Sequence, residues 1–427
     1  MNVFIIKVYR TAQKKSRKGR TWPFGGFCVS EGKESSCHSQ YNSRQQIDNP
    51  DLLAPDQIDA HAENKNGADQ GKIGQGPLGN VSSEKRVVVD TEPSAEYNNG
   101  KGVMTMFFEK QIEKIYRSNI FARQDNVNGI VYFGPEDFPG LQAHPYTFKA
   151  KAGHDLKGFF YHYDNPVPGR LVVFDHGLGN GHRAYMREME CLARAGFLVF
   201  SYDHTGCMAS GGPDTQGFAQ SLNDLDHCLK ALKAEPALAG RQIAVMGHSW
   251  GGFSTMNICA LHPDITHVVS MSGFVSVEKM LEQAISGPLK FYRPGLMALE
   301  RRTNPDYVDF DARRSLWHSK AKVLLIYSED DTVVHKKVHF DRLRDALATR
   351  PNIRLLLVQG KGHNPSYTAD AVAYKDAFFA DFSKAVKKKQ LVTPQQQAEF
   401  MARYDWRRMT AQDEAVWEQI IGHLQAE

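Results

Sequence analysis

The run Ile243-Ala244-Val245-Met246-Gly247-His248-Ser249-Trp250-Gly251-Gly252 reads as a strand, a sharp turn and the start of a helix. The four leading residues are continuously apolar, as in a strand buried on both faces. The turn leaves little room on either side of Ser249, and glycine stands two positions before it and two after. Such a turn lifts Ser249 Oγ above the sheet. It also aims the first N–H groups and positive dipole of the next helix at the reacting atom. Ser249 is therefore the candidate nucleophile, and its setting is a β-strand feeding a helix.

The same alternation extends outward in both directions. Apolar runs at 145–151, 156–163, 170–174, 197–202, 266–271, 323–327 and 354–358 read as further strands. Helical spacing marks 106–121, 183–195, 219–235, 250–261, 338–348, 370–385 and 414–424. This pattern predicts an α/β fold, a mostly parallel twisted sheet with helices on both faces. One interval breaks it. Between the strands ending near Ser272 and starting at Ala321, residues 277–285 read as helical. The remainder reads as irregular around Pro288, Pro294 and Pro305. An insertion there, at about 274–318, is a candidate helical lid over the sheet's carboxyl edge.

The chain divides near residue 103, leaving a domain at 104–427 that carries the alternating pattern. From 31 to 102 it is rich in Gly, Asn, Gln, Ser and Asp, with scattered aliphatics. Such a segment buries too little apolar surface to offset the entropy of ordering, so residues 1–103 are expected to be a disordered extension. The basic cluster Lys14-Lys15-Ser16-Arg17-Lys18 reads as part of a solvated tail. With a net charge of +4 the chain gives no reason to expect a nucleic-acid partner. No stretch approaches the roughly 18 apolar residues of a membrane span. The apolar run at 3–6 precedes its basic cluster, the reverse of a secretory signal. Six cysteines without CxxC pairing fit reduced thiols, so a cytoplasmic setting is expected. Peripheral membrane contact and oligomeric state stay open.

A serine hydroxyl needs a base. Downstream, the strand at 323–327 runs into Ser328-Glu329-Asp330-Asp331-Thr332-Val333-Val334, and the strand at 354–358 into Gln359-Gly360-Lys361-Gly362-His363. Both candidates emerge at the carboxyl edge that carries Ser249. His363 is the expected general base. Asp331 is the expected acid that orients it, with Asp330 as the alternative. Two N–H donors for an oxyanion are expected from Trp250 and from Leu178. The latter lies in the glycine-rich loop Gly177-Leu178-Gly179-Asn180-Gly181 after the strand at 170–174. That loop lacks the Gly-Lys-Ser/Thr ending of a phosphate loop.

Of 17 histidines, His267, His318 and His335 read as surface or loop residues. His248 adjoins Ser249, but neighbours on a sharp turn point apart. His335 and His339 have HxxxH spacing without the glutamate of HExxH. They read as two solvated histidines, so no metal is expected. No cofactor is required.

In order, HGLGNGH, YDHTGCMASGG, GHSWGG, SEDDTVV and GKGH resemble the α/β-hydrolase superfamily over about residues 140–425. Within it the chain is similar to the lysophospholipase and monoacylglycerol-lipase-like branch, which also contains carboxylesterases and serine aminopeptidases. The resemblance implies a Ser249–His363–Asp331 triad and a structural role for the segment around Asp203 and Gly206. Cys207 departs from the smaller residue usual there. About thirty residues, 385–413, separate two helices after the histidine where many relatives have only one. The expected reaction is hydrolysis of a small-molecule ester with a medium or long acyl chain through an acyl-serine. Amide cleavage, as in an aminopeptidase, and acyl transfer are alternatives. A non-catalytic binding protein is the reading from another class. A peptidase would want a free acid near the pocket, and Glu278, Glu282 and Glu300 are the lid's candidates.

Overall fold

The computed structural model describes residues 109–125 and 133–427, apart from Asn165, Pro168 and Asn180. The expected disordered extension lies outside the described residues. Helical residues 109–116 run into a π-helical turn at Arg117–Phe121.

The strands are β1 (Gln142–Lys149), β2 (Asp155–His162), β3 (Arg170–Asp175), β4 (Leu198–Tyr202), β5 (Gln242–His248), β6 (His267–Met271), β7 (Lys322–Ser328) and β8 (Ile353–Val358). They form one sheet in the order β1-β2-β4-β3-β5-β6-β7-β8. The β1–β2 and β2–β4 pairs are antiparallel, and every pair from β4 across to β8 is parallel. The helices are α1 (Met186–Arg194), α2 (Gln220–Ala234), α3 (Trp250–Asn257), α4 (Val277–Ala284), α5 (Arg293–Thr303), α6 (Ala312–Trp317), α7 (Phe340–Leu347), α8 (Ala369–Lys387), α9 (Pro394–Met401), α10 (Trp406–Met409) and α11 (Glu414–Gln425).

Side chains alternate between the two faces of a strand, and here both faces are buried. Leu171, Val173, Val245, Val268 and Leu325 join the apolar cluster that holds α2, α3 and the insertion between β6 and β7. Val172, Phe174, Met246, Val269 and Ile326 join the cluster that holds α1 and α11. That two-sided burial explains why the strands read as unbroken apolar runs.

Two stretches differ from the sequence reading. The insertion is more helical than its prolines suggested. Pro294 sits in the first turn of α5, where its missing N–H has no intrahelical partner to lose. Residues 385–413 are not a plain connection. They complete α8 and add α9 and α10 around a separate small core of Phe378, Ala385, Phe400, Met401 and Met409.

Candidate active site

Ser249 lies between the end of β5 and the start of α3 with φ 57° and ψ −108°. A residue with a Cβ is strained there. The turn is held by its own backbone. Ser249 N–H donates to Met271 O at 2.9 Å, and its carbonyl accepts from Phe253 N–H at 3.0 Å. The flanking glycines answer to packing as well as to the turn. A Cβ on Gly247 would sit 2.4 Å from Gly251 O, and one on Gly251 would sit 2.0 Å from Asp175 O. Gly251 therefore lets α3 start against the end of β3. Trp250 is buried, and its indole N–H donates to Phe218 O at 2.6 Å. That fixes the first residue of the helix, whose backbone N–H groups have no intrahelical acceptors.

The structure brings Asp331 and His363 together. Asp331 Oδ2 is 2.9 Å from His363 Nδ1, while Oδ1 accepts from the N–H groups of Val333 at 2.7 Å and Val334 at 2.9 Å. Burial alone would raise this carboxyl. The charge and hydrogen bond of His363 and the two N–H groups outweigh it and hold Asp331 below the ordinary carboxylate range. Asp330 does something else. Its carboxylate accepts from Ser328 Oγ at 2.6 Å and from Gly362 N–H at 3.2 Å, tying the β7 loop to the β8 loop.

His248 was set aside in the sequence, yet it links three loops. Its Nε2–H donates to the carbonyl of His363 at 2.6 Å, and the two rings lie 4.7 Å apart. Its Nδ1 accepts from Tyr185 Oη at 2.9 Å, and that oxygen accepts from Gly177 N–H at 3.2 Å. Burial, with His363 alongside, lowers the His248 pKa to about 3, so the ring is neutral, as this one-donor, one-acceptor pattern needs. The signal was present in Tyr185, four residues past Gly181 at the end of the glycine loop. Nothing in the spacing joined it to His248.

Leu178 follows Gly177 and packs half-buried against the larger core. Its loop is pinned from behind by histidines. His176 Nδ1–H donates to Gly177 O at 2.8 Å, and its Nε2 accepts from His204 N–H at 3.0 Å. Burial followed by His204 lowers His176 to about 3. His204 sits between Asp175 at 3.0 Å and Asp224 at 3.3 Å. Against burial, which would lower it, these carboxylates raise its pKa to about 9. Asp203 accepts from His182 N–H at 2.9 Å and pairs with His182 Nδ1 at 2.7 Å.

Four histidine readings change or hold. His339 is buried rather than solvated, with Nδ1 accepting from Val275 N–H at 3.2 Å, while His335 is exposed. They do not share a solvated face because α7 starts only at Phe340. His267 is buried in β6 against His423, with ring centroids 5.5 Å apart. His318 is exposed, as read.

Residues 166–348 match the family model described as serine aminopeptidase, S33. The domain has the α/β-hydrolase fold. The match spans the loops of Leu178, Ser249 and Asp331 and stops before His363. Over 136 residues the chain is 26% identical to a monoglyceride lipase of Saccharomyces cerevisiae, covering 31% of the chain and 39% of the relative. It is 28% identical over 110 residues to an epoxide hydrolase of Caballeronia sordidicola, covering 25% of the chain and 32% of the relative. The chain thus spans well under half the length of these curated relatives. A solved Pyrococcus furiosus esterase superposes with a TM-score of 0.46 at 19% identity, covering 66% of this chain and 98% of its own.

Proposed function

We propose that this α/β hydrolase is a serine esterase that cleaves carboxylic esters with a medium or long acyl chain. The observation that carries the reading is the contact of buried Asp331 with His363 at 2.9 Å, on a loop held by the residue next to Ser249. His363, its Nδ1 occupied by Asp331, takes the Ser249 proton through Nε2 as Oγ attacks the ester carbonyl. The backbone N–H groups of Leu178 and Trp250 receive the developing oxyanion. The protonated His363 returns its proton to the leaving alcohol, leaving acyl-Ser249. Water, deprotonated by His363, then releases the acid.

The insertion between β6 and β7 serves as the lid. Its Phe274, Met280, Leu281, Ile285, Leu296 and Leu299 are buried in the main core and fasten the lid. Leu289, Tyr292 and Met297 are only partly buried, as are Leu178 and Val333 on the site loops. These five supply apolar surface for an acyl chain. Gln283 of α4 ties the lid to the acid loop, donating to Val333 O at 2.9 Å and accepting from His335 N–H at 2.8 Å.

Two of the three lid acids are already engaged, which limits what the lid offers a peptide amino terminus. Glu300 is buried and accepts from Tyr116 Oη and from Phe218 N–H at 3.0 Å. Glu282 pairs with Lys279 at 2.6 Å, and Glu278 is exposed. Neither buried nor paired acid is open to a substrate amino group. A p-nitrophenyl ester series tests the proposal. Turnover should rise from short to medium acyl chains and vanish in Ser249→Ala. Activity unchanged by that substitution would end it.

A further inference from the structure

The helices between the His363 loop and α11 form a unit of their own. The chain leaves and returns at one pinch, where Thr368 N–H donates to Ala411 O at 2.9 Å and Asp413 N–H to Ser366 O at 2.8 Å. Beyond it, α8 and α9 fold back on each other around Phe378, Phe400 and Met401, apart from the two sheet cores. With 19 residues, α8 carries the tip about 28 Å from its first turn.

The tip is chemically one-sided. From 382 to 398 the sequence holds four lysines and no acid. Lys384 pairs with Asp381 at 3.1 Å, while no ion pair among the described residues engages Lys387, Lys388 or Lys389. All three are exposed, and beside them Val386 is 42% and Val392 is 69% exposed. The turn is fixed rather than loose. Lys389 N–H donates to Val386 O at 3.0 Å and Gln390 N–H to Ala385 O at 2.9 Å, the paired bonds that close a helix C-terminus. Lys389 takes φ 56° at the position glycine ordinarily fills. A hydrogen-bonded turn thus carries three exposed cations without an ion pair and two exposed aliphatic side chains between residues 386 and 392.

We propose that this tip docks on an anionic lipid bilayer, with Lys387, Lys388 and Lys389 against headgroup phosphates and Val386 and Val392 in the acyl boundary. An interfacial surface rewards both features at once, cations outside and aliphatics within. A single-stranded nucleic acid would be met by aromatic stacking platforms, and residues 383–398 contain no aromatic side chain. The inference stands on this hairpin alone and goes beyond the esterase reading.

The test is co-sedimentation of the full chain with phosphatidylcholine vesicles and with mixed phosphatidylcholine–phosphatidylserine vesicles. Binding is expected only to the mixed vesicles and should fall with added salt. K387E/K388E/K389E should weaken it by at least about 100-fold, since each lysine near an anionic surface contributes about fivefold. V386S/V392S should weaken it several-fold. Thermal unfolding of both variants should match the parent, which keeps misfolding distinguishable. Absence of binding, or binding unchanged in the lysine variant, overturns the proposal. So does salt-sensitive binding that the valine variant retains in full, which would mark a plain polyanion surface.

Discussion

His248 donates its Nε2–H to the carbonyl of His363 at 2.6 Å, so the residue beside the candidate nucleophile holds the loop of the candidate base. Through Tyr185 the same ring also reaches Gly177, next to the candidate oxyanion donor. Three loops from β3, β5 and β8 are thus set relative to one another by one neutral imidazole. Tyr185→Phe removes the middle of this chain and leaves Gly177 N–H and His248 Nδ1 without their partner. Stability should fall by about 1–3 kcal/mol. Misplacement of reacting groups should cost kcat about 10–100-fold with KM little changed. Steady-state kinetics and a melting curve check both. Loss of stability with kcat intact would restrict the chain to a structural role.

The two adjacent acids make a paired prediction. Asp331 contacts the imidazole, and Asp330 instead contacts Ser328 Oγ and the backbone of Lys361 and Gly362. Asp331→Asn should lower kcat by about 10⁴-fold, because the amide favours the wrong imidazole tautomer. Asp330→Asn should keep most activity. A larger loss from Asp330→Asn would reverse the assignment.

This pair also marks how far the sequence could be read. Asp331, His363 and Ser249 each follow an apolar strand, so their shared edge was legible from strand ends alone. Choosing Asp331 over Asp330 depended on which carboxylate turns inward, and one residue of backbone decides that. His339 and His267 were misread because a polar name hides burial when its partner is distant. Val275 N–H serves His339, and His423 covers His267 from α11. The helices α5 and α9 were missed because each begins with a proline, read as a breaker but seated where the first turn tolerates it.

Glu300 predicts a pH dependence of stability. Burial raises its pKa from 4.5 to about 7, against the hydrogen bonds from Tyr116 and Phe218. The folded state thus holds the proton more tightly than the unfolded state. The protonated folded form is at no disadvantage below about pH 4.5. Stability is then lost as pH rises, and the loss is complete once pH passes about 7. The difference amounts to about 3 kcal/mol. Glu300→Gln removes the titration, so the variant should gain on the parent between pH 5 and pH 8. Urea midpoints at the two pH values measure it. A constant difference would show that Glu300 does not titrate in this window.

Strain at Ser249 separates two variants that both lack the hydroxyl. At φ 57° and ψ −108° any Cβ is unfavourable, and such backbone costs about 1–3 kcal/mol. Ser249→Ala keeps the Cβ and the strain. Ser249→Gly removes both but widens the unfolded ensemble, which offsets about 0.5–1 kcal/mol of the relief. The glycine variant should therefore be the more stable of the two by about 1 kcal/mol, although the two are equally inactive. Paired denaturant titrations give the comparison directly. If the alanine variant proved the more stable, the turn would be relaxed in solution, and strain could not be what holds Oγ above the sheet.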